Sequence, residues 1–302
     1  MINAMARVVE SPDPLQAVKK SGAWYFGDLS CDFAIKALDA VRRVNRGAMQ
    51  EQLERLGLKK AIWRELDSGE PGLQLDAIGF LRKTGDRTFC DKLYVLAVRA
   101  EHQIRVAAIS LLLDWGEVPS ARWLMRALEI GEVRPSIEAE GLFRRLPPND
   151  SFWRHQIDQT SASGGAKILG IHALAHRPEP QNIRAILHAA AHENADIRAQ
   201  ALRILGVLRA QEARPLLAAA FYDGSWFVVL QAAFCAGRLG AGEYLPNLER
   251  LLNHQKWWVR YRAAQALLSF GDVGLEILRA VSNQAGRAGR AASIALSEKG
   301  VR

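Results

Sequence analysis

The chain has 302 residues, with 40 lysines and arginines against 32 aspartates and glutamates, a formal net charge of +8 and 49% hydrophobic residues. That balance is globular rather than disordered or collagen-like, and no run approaches the ~18 apolar residues of a membrane helix. Cys31, Cys90 and Cys235 are too widely spaced for a disulfide framework or a CxxC metal site, which reads as a reducing, cytoplasmic compartment.

In chain order, residues 1–14 carry Pro12, Asp13 and Pro14 and none of the apolar core of a secretory signal, so they read as a tail. Residues 15–49 contain CDFAIKALDAVRRV (31–44), a helix that ends outside the pattern that follows. Together, 1–49 read as a tail and helical cap, and 50–302 as a repeat array closed by a second cap. The segments QIRVAAISLLLDW (103–115), DIRAQALRILGVL (196–208) and WVRYRAAQALLSF (258–270) share one pattern. Their anchors Arg105, Arg198 and Arg260 lie 93 and 62 residues apart, three and two periods of 31. Filling in the period adds Gln74, Ser136, Lys167 and Val229.

The columns support the alignment. Three residues after the anchor stand Ala77, Ala108, Ala139, Gly170, Ala201, Ala232 and Ala263, all small. Seven after, every residue is apolar, from Leu81 to Leu267. Eleven after stand Gly85, Gly116, Pro147, Pro178, Arg209, Gly240 and Gly271, nearly all helix-ending residues. Offsets −1, +3, +6, +7 and +10 fall on one helical face, so each anchored segment is an amphipathic helix B. A second apolar segment between the punctuators is helix A. One pair cannot bury its own faces, so the pairs must stack, as an all-α, right-handed α-solenoid of about eight helix-turn-helix units of ~31 residues. The third unit is degenerate: Pro135 and Glu138 intrude, Glu140 replaces an aliphatic at +4, and Pro147–Pro148 follow. Glu140 is expected to reach solvent, and the stretch reads either as local drift or as a hinge. TSASGG (160–165) is expected to be a loop. The last unit, near AGRAASIAL (288–296), has a blurred register.

The runs IRVAAISLLLDWG, DIRAQALRILG and WVRYRAAQALLSFG resemble HEAT repeats of the short bacterial type, related to the phycobilisome-lyase-like repeats. The resemblance covers about residues 50–297. It implies the architecture and leaves function open, because such arrays serve many roles.

In a solenoid of this kind the B helices line the concave face, and offsets +2, +5 and +9 should form its exposed stripe. The later units present Leu169, His172, His176, Gln200, Arg203, Val207, Gln231, Phe234, Arg238, Arg262, Gln265 and Ser269. Of these, His172, Gln200, Arg203, Gln231, Phe234, Arg238, Arg262 and Gln265 are the candidate partner-binding residues, suited to an acidic protein or peptide. Trp226–Phe227 and Trp257–Trp258 occupy equivalent positions at the start of helix B. With Tyr261, Lys256, Arg260 and Arg262 they form either an aromatic-basic ridge for a partner or nucleic acid, or staples between neighbouring helices. The anchor arginines read as a structural ladder bonding carbonyls or acids.

His172 and His176, and His188 and His192, are i,i+4 pairs, the spacing a metal site needs. HExxH is absent, however. The HEAT-type di-iron hydroxylases depend on several His-Glu pairs, and here His192–Glu193 is the sole one. No catalytic set, metal or cofactor is therefore assigned. Three functions remain open: a non-enzymatic scaffold for a protein partner, a nucleic-acid binder using the basic C-terminal half, and a metal- or ligand-dependent enzyme using the histidines.

Overall fold

A computed structural model describes residues 58–300, so the tail and the cap helix expected within 1–49 lie outside the described residues. What is described is entirely helical. The helices alternate as A–B pairs: α1 (Leu58–Asp67) with α2 (Pro71–Thr84), α3 (Cys90–Arg99) with α4 (His102–Asp114), and α5 (Ala121–Ala127) with α6 (Ile137–Arg144). Next come α7 (Asp150–Asp158) with α8 (Gly164–Ala175), and α9 (Pro180–Ala189) with α10 (Ala195–Leu208). The last are α11 (Arg214–Ala220) with α12 (Trp226–Leu239), α13 (Leu245–Leu251) with α14 (Trp257–Leu268), and α15 (Asp272–Ser282) with α16 (Arg287–Glu298). None of them is long and apolar enough to cross a membrane.

The columns read from the sequence become layers. All seven residues at +3 are buried, with Ala77, Ala108, Ala201, Ala232 and Ala263 at 0% exposure. The reason for small side chains is visible at Gly170, where a Cβ would stand 3.1 Å from Ile157 Cγ1 and 3.2 Å from the Trp153 carbonyl oxygen. Successive B helices pack on one another: α2, α4 and α6 form one run, and α8, α10, α12, α14 and α16 another. The +7 residues are buried throughout as well.

The array falls into two compact units, and the division lies in the degenerate third pair. Among the described residues, one unit runs to Glu129 and takes in Ile137–Leu146; the other comprises Ile130–Ser136 and everything from Pro147. The loop Ile130–Ser136 joins the second unit because it lies on the first turn of α8. The Gly165 N–H donates to the Gly131 carbonyl (2.8 Å), the Gly164 N–H to Glu132 Oε2 (2.9 Å), and the Ser163 hydroxyl to the Ile130 carbonyl (3.3 Å). A Cβ at Gly165 would sit 2.5 Å from the Gly131 oxygen, so only glycine fits. The TSASGG segment is therefore partly helix: Ser163 caps α8, and both glycines belong to its first turn.

Three expectations are corrected. Glu140 is 6% exposed rather than solvated, because +4 faces the core in every unit, and its Oε2 lies 3.6 Å from Arg144 one turn on. Leu169, placed on the exposed stripe, is 2% exposed, since every residue from Gly164 to Ile171 is buried. In α7 the apolar column slips: His155 is exposed, while Trp153, Gln156 and Ile157 point inward. The blurred last register has a simple cause. Gly289, Ala292, Ala295 and Leu296 take the buried places, which puts the anchor at 289, two residues early, with the linker so tight that a Cβ at Gly289 would meet the Gln284 oxygen at 1.9 Å.

Helix ends follow the +11 column. Gly85, Gly116, Gly240 and Gly271 have φ between 60° and 83°, the left-handed region that closes a helix without steric cost to glycine. Arg209 occupies the same position with φ 54°. Replacing it relieves a Cβ strain, so Arg209→Gly should stabilise the protein by about 1 kcal/mol, read as a higher denaturation midpoint at unchanged slope.

Candidate functional site

The anchor side chains do for one helix what its own backbone cannot. Gln74, Arg105, Lys167, Arg198 and Arg260 each reach back to the C-terminal end of their own A helix or the turn that follows it, where carbonyls lack intrahelical donors. Gln74 Nε2 donates to the Leu66 carbonyl (3.1 Å) and Arg105 Nε to that of Ala100 (2.6 Å). Lys167 Nζ donates to those of Ile157 (2.6 Å) and Gln159 (2.8 Å). Arg198 Nη1 donates to His192 (2.8 Å) and Glu193 (2.7 Å), and Arg260 Nη1 to His254 (2.8 Å) and Gln255 (2.9 Å). A cation there also suits the helix dipole.

The remaining donors reach forward to the next pair. Arg105 Nη1 meets the Ala127 carbonyl at 3.2 Å and Glu129 Oε1 at 2.8 Å. Arg198 holds Asp223 in a fork, Nε to Oδ2 at 2.8 Å and Nη2 to Oδ1 at 2.9 Å. Burial alone would raise the Asp223 pKa, but the Arg198 hydrogen bonds and charge and the Ser225 N–H outweigh it and hold the carboxyl below its ordinary value. Asp223 is a structural residue the sequence reading missed; its signal is an acid 25 residues after a cationic anchor.

Asp223 has equivalents one period away on either side. His192 and His254 each accept a backbone N–H at Nδ1, from Asn194 and Lys256, both at 3.0 Å. Accepting at Nδ1 requires that nitrogen to be unprotonated. Both histidines are lowered from the ordinary 6.5, chiefly by burial. Lys167 and Arg198 act the same way on His192, and Arg260, Arg250 and Lys256 on His254.

On the stripe, all seven +9 residues are exposed, whereas +2 and +5 are mostly half-buried. Its charges are satisfied differently in the two units. In the first, Asp114 takes Arg82 (2.8 Å) and Arg145 (2.7 Å), and Arg145 also donates to Ser110 Oγ (3.2 Å). In the second, His172 lies 3.3 Å from Gln200 Oε1, the Arg262 guanidinium sits 5.3 Å from the Phe234 ring centre, and Gln265 Nε2 donates to Glu298 Oε2 at 2.7 Å. Arg203 and Arg238 are exposed, and neither they nor Arg262 pairs with a carboxylate among the described residues. Gln231 is half-buried on the same stripe.

Each aromatic pair clusters at the start of its own B helix. Trp226 meets Phe227 edge-on at 5.8 Å. Trp257 meets Trp258 edge-on at 4.7 Å and stacks on Tyr261 at 5.0 Å and 10°. Tyr261 donates its hydroxyl to Glu298 Oε2 (3.1 Å). Trp258 keeps 60% of its surface exposed, Trp257 42% and Trp226 37%, so the indoles are only partly used as staples.

The histidine pairs do not converge. His172 faces Gln200, His176 is exposed just past α8, His188 Nδ1 lies 3.3 Å from Asp158 Oδ1, and His192 is engaged in its loop. Among the described residues no three His, Cys, Asp or Glu side chains are grouped to hold a metal ion.

The loop histidines set a pH dependence. A histidine whose folded pKa is lowered contributes stability above its unfolded value of 6.5, and that stability is lost as pH falls through 6.5 toward the folded value. Thermal melts should therefore drop between neutral pH and pH about 5, and the His192→Asn, His254→Asn double variant should show a shallower drop.

Residues 245–274, spanning α13 and α14, match the HEAT repeat family model. No curated protein matches the sequence. Among solved structures, human deoxyhypusine hydroxylase in complex with glycerol aligns at TM-score 0.38 and 18% identity, over 89% of this chain and 95% of that one. The karyopherin Kap121p aligns at TM-score 0.43 and 12% identity, and its complex with the SUMO protease Ulp1p at 0.44 and 10%; this chain covers 41% and 40% of theirs, and 98% of its own length in both. The chain thus carries a HEAT repeat at 245–274, within an array whose other helical pairs share its A–B layout.

Proposed function

We propose that the protein is a non-enzymatic scaffold that binds an acidic protein partner along the stripe of its B helices in the second unit. One observation carries this reading: the stripe arginine of the first unit, Arg145, is neutralised by Asp114, whereas among the described residues Arg203, Arg238 and Arg262 meet no carboxylate. A row of unpaired guanidinium groups beside Phe234, Gln200 and Gln231 matches carboxylate side chains presented by an extended polypeptide. A reducing, cytoplasmic setting goes with this reading, in keeping with the free thiols of Cys90 and Cys235.

Nucleic-acid binding is a second reading, supported by the excess of basic residues from Lys256 onward beside the exposed Trp258. It requires a mobility shift that weakens steeply with salt. For the scaffold reading, the triple variant Arg203→Glu, Arg238→Glu, Arg262→Glu should lower recovery of the native partner from host extract by about tenfold or more, with unchanged circular dichroism. Equal recovery by wild type and variant would overturn it.

A further inference from the structure

In the middle of the second unit three B helices touch backbone to backbone, and a phenyl ring on the central one meets both neighbours. A Cβ at Gly206 of α10 would stand 3.0 Å from the Cys235 Cα and 3.1 Å from Phe234 Cε1 of α12. A Cβ at Gly237 of α12 would stand 2.9 Å from the Ala266 Cα of α14. Helices this near have axes about 8 Å apart. The Phe234 ring therefore rests on the bare backbone of α10, while from α14 Arg262 lays its guanidinium 5.3 Å from the ring centre.

That contact orders Arg262. Its Nε is buried, and its two terminal nitrogens, which are not, meet no acceptor among the described residues. A guanidinium stacked on a ring keeps its planar fork for a carboxylate and has little freedom left to lose on binding. The helix register adds two more cations and an aliphatic side chain. Arg238 lies four residues after Phe234 on α12, and Arg203 four residues before Val207 on α10, so each pair shares a face. Both arginines are exposed, and Val207, next to Gly206, keeps 49% of its surface exposed. No stripe position on α10, α12 or α14 carries an aspartate or glutamate. The patch has an apolar centre surrounded by cations.

We propose that Val207 and the half-buried Phe234 form the floor of a recognition site for an extended peptide motif, an apolar residue with an acid two positions away on either side. The apolar side chain packs on the floor, one carboxylate meets Arg262, and the other meets Arg203 or Arg238. The inference rests on the reading that the partner is an acidic protein, and it names the motif that partner presents. In an extended chain every second side chain shares a face, and the two acids lie about 13 Å apart. Two helix spacings of about 8 Å separate α10 from α14, and Arg262 shortens that span by leaning over Phe234. A nucleic-acid strand fits less well, because Arg262 already covers the ring and Val207 offers no plane on which a base stacks.

The test uses the full chain and two fluorescein-labelled peptides, Gly-Glu-Ala-Leu-Ala-Glu-Gly and its counterpart with serine for leucine, read by anisotropy. The leucine peptide should bind about tenfold more tightly, the gain from burying much of one aliphatic side chain. Val207→Ser leaves every charge in place and should bring the two peptides within about threefold of each other. Arg262→Gln should weaken both by about tenfold, the loss of a charge-assisted contact. Arg122→Gln, exposed on the A helix α5 of the first unit, makes the same change in net charge and should shift binding by less than about threefold. Equal affinity of the wild type for the two peptides, or no binding of either at about 1 mM, overturns the motif. So does a leucine preference that survives Val207→Ser, or equal losses from Arg262→Gln and Arg122→Gln. An oligodeoxynucleotide of matched charge that binds more tightly than the leucine peptide, and is released by Arg262→Gln, overturns it in favour of nucleic acid. Native-partner recovery by the triple arginine variant is read separately. Recovery that does not fall removes the scaffold surface, whereas a lost partner with equal peptide affinities keeps the scaffold and removes this motif alone.

Discussion

The structure depends on one close approach. Across each contact between successive B helices the chain places alanine or glycine three residues after the anchor, and these residues are buried to the last few per cent. A larger side chain would force the helices apart, since overpacking of this kind typically costs about 1–3 kcal/mol. Only because the backbones are so near can a single arginine stem bridge two A–B loops. Arg198 touches the carbonyls of its own loop and the carboxylate of the following one, a span no surface arginine on a looser stack could cover.

That bridging makes the polar structure directional. Arg105 and Arg198 each bond the turn before them and reach to the pair after them, so satisfying such a guanidinium is a property of neighbours rather than of one unit. Where the anchor is Val229 the forward bond disappears, and the loop it would have met carries His254, which caps its own backbone instead. Where the anchor is Arg260 the next loop brings arginines. Packing and charge thus part company at α14–α16: the apolar layer continues through Ala292, Ala295 and Leu296, while the carboxylate ladder stops. The exposed indoles gather on the same pair, so this pair combines open cations with uncovered apolar surface.

The third pair shows the same rules under stress. Its A helix spans seven residues, Ala121–Ala127, its B helix eight, Ile137–Arg144, and the linker between them is drawn onto α8 by the two glycines that admit it. A proline-rich sequence shortens the helices, and glutamate at +4 puts a carboxylate where its neighbours bury isoleucine. The division into two compact units falls here because the linker's hydrogen bonds belong to the pair that follows.

Much of the fold was legible in the sequence. Period 31, the small +3 column, the apolar +7 column and the +11 terminators each reflect a local requirement, namely face periodicity, backbone approach and left-handed helix ends, and local requirements leave their mark on residue type. Even Arg209, the departure from the pattern, takes the conformation its column demands. The candidate site was legible in part: the +9 residues could be placed in solvent by geometry alone, and the anchors read correctly as ladder residues. What sequence could not decide was pairing. Whether Arg145 or Arg238 finds a carboxylate, and whether Trp257 stacks on Tyr261 or on Trp226, depends on residues brought near by folding. Charge and ring contacts act through space between pairs, and only the tertiary structure sets those distances.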